Sequence, residues 1–397
     1  MFLGTSIFRH TVMSGYVGDL SKEQELILQQ FRHNVSDLDL PDSSDNYLLR
    51  WLRAREFNLI KSEHMIRQSI KWRQNNDVDH ILQTHVPSEI VKKHFPGGFL
   101  ECSPEGYPVW LIPIGNIDIK GFLQCVPQSE LERHVTYLLE HADSLKKRNS
   151  IKFSKVVETK LCIFDFENFS LRQLYSLQVM DFLTSLLKMY EDNYPETLEI
   201  AYIINAPGFF PLFWKIIRPF LTERTASKVH IYGKDGWQEP LLKMLDPSGF
   251  PQHWGGSLVG PDDDPRCSDK IGPGGILPVS YMKNVRQVFQ VEGATVCSID
   301  RLATLEVPVE VDRIGSMLSW EFQTTKNDLA FGVNYLSPSG TVEIMAMHRV
   351  SCGIVPEHGQ LKCQQAGTYV LRFDNSFSWF TGKTLAYIIQ VKPPTET

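Results

Sequence analysis

The chain has 397 residues, of which 42% are apolar and 22% charged, and its formal net charge is −6. The length exceeds one ordinary core and implies two or three domains. The composition excludes a disordered chain, and the acidic balance gives no support for a nucleic-acid partner.

No window supplies the roughly 20 consecutive apolar residues of a membrane span. The opening "MFLGTSIFRHTV" lacks the basic and apolar regions of a signal peptide. Met13 starts a second plausible beginning, and residues 1–18 read as a flexible extension. The seven cysteines are scattered and form no C-x-x-C, so a reducing, cytosolic compartment is expected.

From Ser21 to about His80 the pattern is helical. Ser21 and Gln24 have capping-box spacing. "DNYLLRWLRAREFNL" and "KSEHMIRQSIKWRQ" read as two further helices, the second with Met65, Ile66, Ile70 and Trp72 as its apolar stripe. After Pro87, strands alternate with helices. "YPVWLIPIG", "TKLCIFDFENF", "LEIAYIINAP" and "KVHIYG" read as strands. "SELERHVTYLLEHADSLKK" is a long helix with Leu131, Val135, Leu138, Leu139 and Leu145 on one side, and "LRQLYSLQVMDFLTSLLKMYEDN" is a second. Nearly continuous apolar strands between helices predict a mainly parallel sheet covered on both faces.

Residues 255–281 are dense in Gly, Pro and Asp, the mark of a linker or an irregular wrapping segment. Beyond them apolar residues alternate: Leu305, Val307, Val309 and Val311; Leu318, Trp320 and Phe322; Phe331, Val333 and Tyr335; Tyr369, Leu371 and Phe373. Short alternating strands separated by turns predict an antiparallel sandwich.

The middle of the chain carries no phosphate loop, nucleophile elbow or zinc spacing. His134 and His141, seven apart on one helix, read as a solvated face. Asp165 and Glu167 end a strand and read as caps of the following helix rather than as acid–base partners. No enzyme, cofactor or metal is expected.

The 13 residues "FFPLFWKIIRPFL" are too short to span a bilayer. Pro211 suits a first helical turn and Pro219 breaks the end. Phe209, Phe210, Leu212, Phe213, Trp214, Ile216, Ile217 and Phe220 wrap most of the circumference, while Lys215 and Arg218 share a polar edge. The residues alone leave two readings. One is a helix buried on nearly all sides; the other is a lid over an apolar cavity that also touches a membrane.

"NYPETLEIAYIINAPGFFPLFWKIIRPFL", followed by "SKVHIYG" and "FPQHWGG", resembles the CRAL-TRIO domain of Sec-fourteen-like lipid-binding and transfer proteins. "YLLRWLRAREFNL" with "KWRQ" resembles the helical domain that precedes it there. The C-terminal third, with "YVLRFDNSFSW", resembles a GOLD domain. The resemblance covers about Asp19 to Val391. It implies a helical domain at 19–86, an α/β lipid-binding domain at 87–258, a linker at 259–284 and an all-β GOLD sandwich at 285–397. It implies a lipid pocket roofed by a gate helix from Phe209 to Leu221, with Lys215 and Arg218 facing the membrane. One hydrophobic lipid would exchange with membranes without covalent chemistry. That ligand is a phospholipid such as phosphatidylinositol or phosphatidylcholine, or a tocopherol- or squalene-like molecule. Arg55, Glu196, Thr225 and Lys228 match headgroup-binding positions. Glu56 departs from the Lys that some phosphatidylinositol-transferring members carry, which weakens the case for that lipid. The GOLD-like part implies a protein partner and peripheral association with Golgi or vesicle membranes. "SFSWF" offers Phe377, Trp379 and Phe380 as exposed-aromatic candidates.

Overall fold

The computed structural model describes residues 14–170, 176–282, 287–325, 328–350, 352–353 and 355–394. Most of the expected extension at 1–18 and the expected boundary at 284/285 lie outside them.

Three helices come first: α1 Lys22–Asn34, α2 Asp45–Ala54 and α3 Leu59–Asn75. The capping box at Ser21 and Gln24 is formed. Leu48, Leu49, Trp51 and Leu52 of α2 are buried with Phe31, Met65, Ile66 and Ile70. Trp72 faces the other way, with its indole edge-on to Tyr194 at 6.1 Å. This contact joins the helical part to the α/β part of the chain.

The α/β part runs α4 Ile81–Thr84, α5 Glu89–His94, β1 Gly98–Leu100, β2 Val109–Ile112, α6 Ile119–Cys125, α7 Gln128–Phe153, β3 Lys160–Asp165, α8 Leu177–Asn193, β4 Leu198–Ile204, α9 Phe210–Ile217, α10 Glu223–Ala226, β5 Val229–Ile231 and α11 Gln238–Met244. The five strands pair in sequence order. β1 is antiparallel to β2; the other pairs are parallel. All four residues of β2 are buried, as a doubly covered sheet requires.

The helix α7 runs on to Phe153, beyond the expected end. Its His134 is buried, not solvated: Nδ1 lies 3.1 Å from His85 Nε2, and the ring meets Phe95 edge-on. Burial and the neighbouring His85 push the His134 imidazole down to about 4. His141 is half-buried against Phe99 and Tyr137.

The Gly- and Pro-rich segment wraps back onto the sheet. Gly272 bridges Gly97, and Ile271 and Leu277 are buried. Gly98 is needed here, because a Cβ would lie 2.0 Å from the Lys270 carbonyl oxygen.

The last part is all antiparallel: β6 Thr295–Ile299, β7 Thr304–Val311, β8 Met317–Thr324, β9 Leu329–Ser337, β10 Gly340–Val350, β11 Glu357–Lys362, β12 Gly367–Asp374 and β13 Lys383–Lys392. Two sheets, β10-β9-β12-β7 and β11-β8-β13-β6, enclose one core. Every residue of the four expected alternating runs lies in that core or packs against it.

One buried ion pair joins the sandwich to the α/β part. Lys120 of α6 donates to Glu357 Oε1 at 2.6 Å and to the His358 carbonyl at 2.9 Å, with the two side chains 1% and 6% exposed. Removing one member of such a pair strands a charge away from water. Lys120→Ala should therefore lower stability by about 3–5 kcal/mol. Replacing both residues, as Lys120→Met with Glu357→Leu, should recover part of the loss. Urea unfolding of the three proteins checks both outcomes; equal midpoints would contradict the assignment.

Candidate functional site

The strand β4 ends at Ile204 and leads through Asn205 into α9. Asp165, buried at the end of β3, anchors this entry. Its Oδ1 accepts from Glu167 N at 2.9 Å and from Asn205 Nδ2 at 2.8 Å, and its Oδ2 accepts from Trp254 Nε1 at 2.8 Å. The carboxylate expected to cap the next helix thus ties two strand ends to the "FPQHWGG" stretch, and Ser176 caps α8. Asp165, Glu167 and His253 place three ligand-type atoms within 4.8 Å of one another. Both Asp165 oxygens are occupied and Arg266 stands 3.5 Å from Glu167, so the group is a hydrogen-bonded ion cluster. Burial and the Arg266 charge push the His253 imidazole down.

The helix α9 carries Pro211 in its first turn, where a missing N–H leaves no bond unmade. Phe210, Phe213 and Ile217 are buried against Phe166, Phe169, Met180 and Ile203. Phe166 meets Phe210 edge-on at 4.9 Å, and Phe169 lies 5.3 Å from Phe213. Phe209, Trp214, Ile216 and Leu221 are half-buried. Leu212 and Phe220 remain 45% and 43% exposed. The segment is therefore apolar toward the protein and apolar toward water. Lys215 is exposed, whereas Arg218 turns back on the chain. Its guanidinium donates to the Leu221 carbonyl at 3.2 Å and pairs with Glu223 at 2.6 Å.

Beyond α9 the chain meets a charged cluster. Glu196 lies in the turn between α8 and β4 with φ at 59°, a left-handed conformation that strains a residue with a Cβ. Its carboxylate is 5% exposed and accepts two bonds from Arg224, at 2.6 and 2.8 Å. Arg53 Nε, on a side chain 2% exposed, lies 3.6 Å away, and the Tyr16 ring covers the Arg53 guanidinium at 3.9 Å. Lys228 donates to the Leu198 carbonyl at 2.6 Å and adds its charge beside Glu196. Burial alone raises the Glu196 carboxyl, but the Arg224 bonds and the charges of Arg224, Lys228 and Arg53 outweigh it and hold the group below its ordinary range.

The four expected headgroup residues divide between two neighbouring groups. Glu196 and Lys228 belong to the cluster just described. Thr225, bonded to Thr222 at 3.0 Å, faces Glu191, and the Arg55 charge acts on that same carboxylate. Burial raises Glu191 despite them. Arg224 and Thr225 are consecutive in α10, so a single helical turn serves both groups. Glu56 is exposed at φ 52°. Sequence reasoning missed Arg53, Arg224, Tyr16 and Glu191. The available signal was Arg53 itself, on the same α2 face as the apolar Leu49.

Residues 92–256 match the family model described as CRAL/TRIO domain. A crystal structure of Sfh5 has a similar fold, at 15% identity, over 62% of this chain and 90% of its own, with a TM-score of 0.50. Two partial likenesses, to PirA at 12% identity and to PliG of Aeromonas hydrophila at 17%, each cover 25% of this chain. They cover 96% and 85% of those chains, and their TM-scores of 0.20 and 0.19 are too low to mark a shared fold. The α9 segment, its aromatic floor, Glu196 and Lys228 all fall inside the matched stretch, and Arg53 reaches Glu196 from the preceding helices.

The Glu196 cluster has a measurable consequence. Glu196→Gln leaves Arg53 buried without its counter-charge, and stability should fall by about 3 kcal/mol at pH 7. Because the folded carboxyl titrates below its unfolded value, the wild type loses this advantage on acidification. The gap between the two proteins should shrink as pH falls below about 4.3. Urea titrations across that range check it, and a constant gap would contradict it.

Proposed function

We propose that the protein is a non-catalytic carrier. It binds one hydrophobic lipid beneath α9 and exchanges it with membranes, as a cytoplasmic protein with peripheral Golgi or vesicle association. The observation that carries this reading is the α9 segment: Phe210, Phe213 and Ile217 face an aromatic floor, while Leu212 of the helix and Phe220 of the turn after it face water. A permanently buried helix has no use for that outer apolar surface, whereas a lid needs both. In this reading the parts divide as residues 19–86 helical, 87–258 lipid-binding, 259–284 linker and 285–397 a GOLD-like sandwich. The order of parts is similar to that of supernatant protein factor, also called tocopherol-associated protein.

The ligand is a phospholipid or a tocopherol- or squalene-like molecule. Arg55, Thr225 and Lys228 supply donors suited to a phosphodiester, and Glu196 an acceptor for hydroxyls. Arg224 already bonds both Glu196 oxygens and the carboxylate is 5% exposed, so a hydroxyl-bearing headgroup has to compete for it. An apolar ligand makes no such demand, and in this reading it is the better fit.

A second reading, a lipid-sensing adaptor whose sandwich recruits a protein partner, draws on a continuous line of contacts. Met180 of α8 lies in the floor under α9, Val179 and Phe182 of α8 pack on Ile119 and Phe122 of α6, and Lys120 of α6 holds Glu357 of the sandwich.

Mass spectrometry of lipid extracted from natively purified protein tests the carrier reading. One lipid per chain is expected. An empty protein that vesicles fail to load would end the proposal, and inositol lipid as the main species would overturn the preference for an apolar ligand. Phe213→Asp with Trp214→Asp should slow transfer between vesicles about tenfold or more, the effect of some 1.4 kcal/mol on a barrier. The exposed pair Leu212→Asp and Phe220→Asp should slow it too while keeping the fold. Unchanged transfer in that second, folded variant would remove α9 from the mechanism.

A further inference from the structure

The sandwich carries an apolar feature that neither lipid transfer nor the fold explains. Trp379 and Phe380, in the turn from β12 to β13, are 70% and 92% exposed, and Leu302, in the turn from β6 to β7, is 50% exposed. Singly exposed aliphatic residues are common on protein surfaces. Two consecutive aromatic residues held in water are not. The two turns are stitched into one tip. Asn375 is fully buried between them, and its Nδ2 donates to the carbonyls of Asp300 and Thr381, both at 3.0 Å. Its backbone N–H donates to the Ala303 carbonyl at 2.9 Å. Ser378 closes the turn onto Asn375 and Thr381. The aromatic pair is thus presented by a braced loop, so little ordering entropy remains to be lost on contact.

Phe377 is half-buried, with the Arg349 guanidinium 4.0 Å and the Lys383 ammonium 4.7 Å from its ring centre. The described charged side chains at this end are Arg301, Arg349 and Lys383 against Asp300, Asp328 and Asp374. They balance. Asp328 is held by Lys383 and Arg349, and Asp374 accepts from Thr304 and Ser376. Lys326 lies outside the described residues. Among the described residues, then, the tip presents Trp, Phe and Leu with paired charges behind them. Its chemistry suits the boundary between headgroups and acyl chains, where an indole keeps its N–H hydrated and its rings apolar.

We propose that this tip is a membrane-contact element separate from α9. Trp379 and Phe380 enter the interfacial layer of a bilayer, backed by Leu302, and the contact depends little on headgroup charge.

Co-sedimentation of the full chain with phosphatidylcholine vesicles, with and without phosphatidylserine, tests it. The readout is partitioning and needs no lipid exchange, so it stays distinct from the carrier reading. Wild-type protein should bind both vesicle types similarly, and raising the salt should change little. Trp379→Ser with Phe380→Ser should weaken binding by about tenfold or more while leaving thermal unfolding unchanged, since neither side chain is buried. Three results would overturn the proposal: no vesicle binding by the wild type, equal binding by the double variant, or binding that requires phosphatidylserine and is lost at high salt. Equal binding would assign the tip to a protein partner instead.

Discussion

Everything around α9 depends on one strained, buried carboxylate. Glu196 stands where the N-terminal helices, the sheet and the chain leaving α9 meet, held by Arg53 from the first, Arg224 from the last and the Lys228 charge beside them. A buried carboxylate is tolerated only when paired and hydrogen-bonded. The pairing therefore forces these segments into register. The left-handed backbone at Glu196 persists because the surrounding bonds outweigh the strain. Its upstream counterpart is Asp165, which fixes the entry to α9 through Asn205 and Trp254. The segment is tied at both ends by directional polar bonds.

The sandwich was legible because its rule is local. A period of two puts alternate residues on one face, so Trp320, Phe322, Phe331 and Phe373 could be assigned to a core before any topology was known. The parallel sheet was legible for the related reason that doubly covered strands are apolar throughout. Polar side chains obey no such rule. His134 reads as half of a solvated face until α4, α5 and their flanks fold over it. Arg218 reads as a free cation until Glu223 is brought beside it by the turn after Pro219. Lys120 and Glu357 stand 237 positions apart, and neither carries a local mark of the other.

The "LRAR" run shows the limit most clearly. Arg53 lies within α2 whereas Arg55 is the non-helical residue that caps its end, so they cannot serve the same site in the same way. Motif matching selects Arg55; packing buries Arg53 against Glu196 and leaves Arg55 acting on Glu191 from the helix end. A motif specifies residue types. The rotation of the helix against its neighbours decides which of them is buried, and that rotation is set by Leu48, Leu49, Trp51 and Leu52 rather than by the charges.

The contrast between the ends of α9 and its middle bears on how a lid can work. The end anchors are ion pairs and hydrogen bonds, which weaken steeply with distance and angle. The middle is held by burial of Phe210, Phe213 and Ile217, about 1.5–3 kcal/mol each. That burial is non-directional, and any apolar medium supplies it equally. In the proposed lid, moving α9 from its aromatic floor onto a lipid tail or into a bilayer surface would exchange one apolar contact for another, with the anchors as its hinges. A helix with a polar outer face would lose this symmetry, since its outward position would be fixed by water. The exposed Leu212 and Phe220 give the α9 segment an outer apolar face instead.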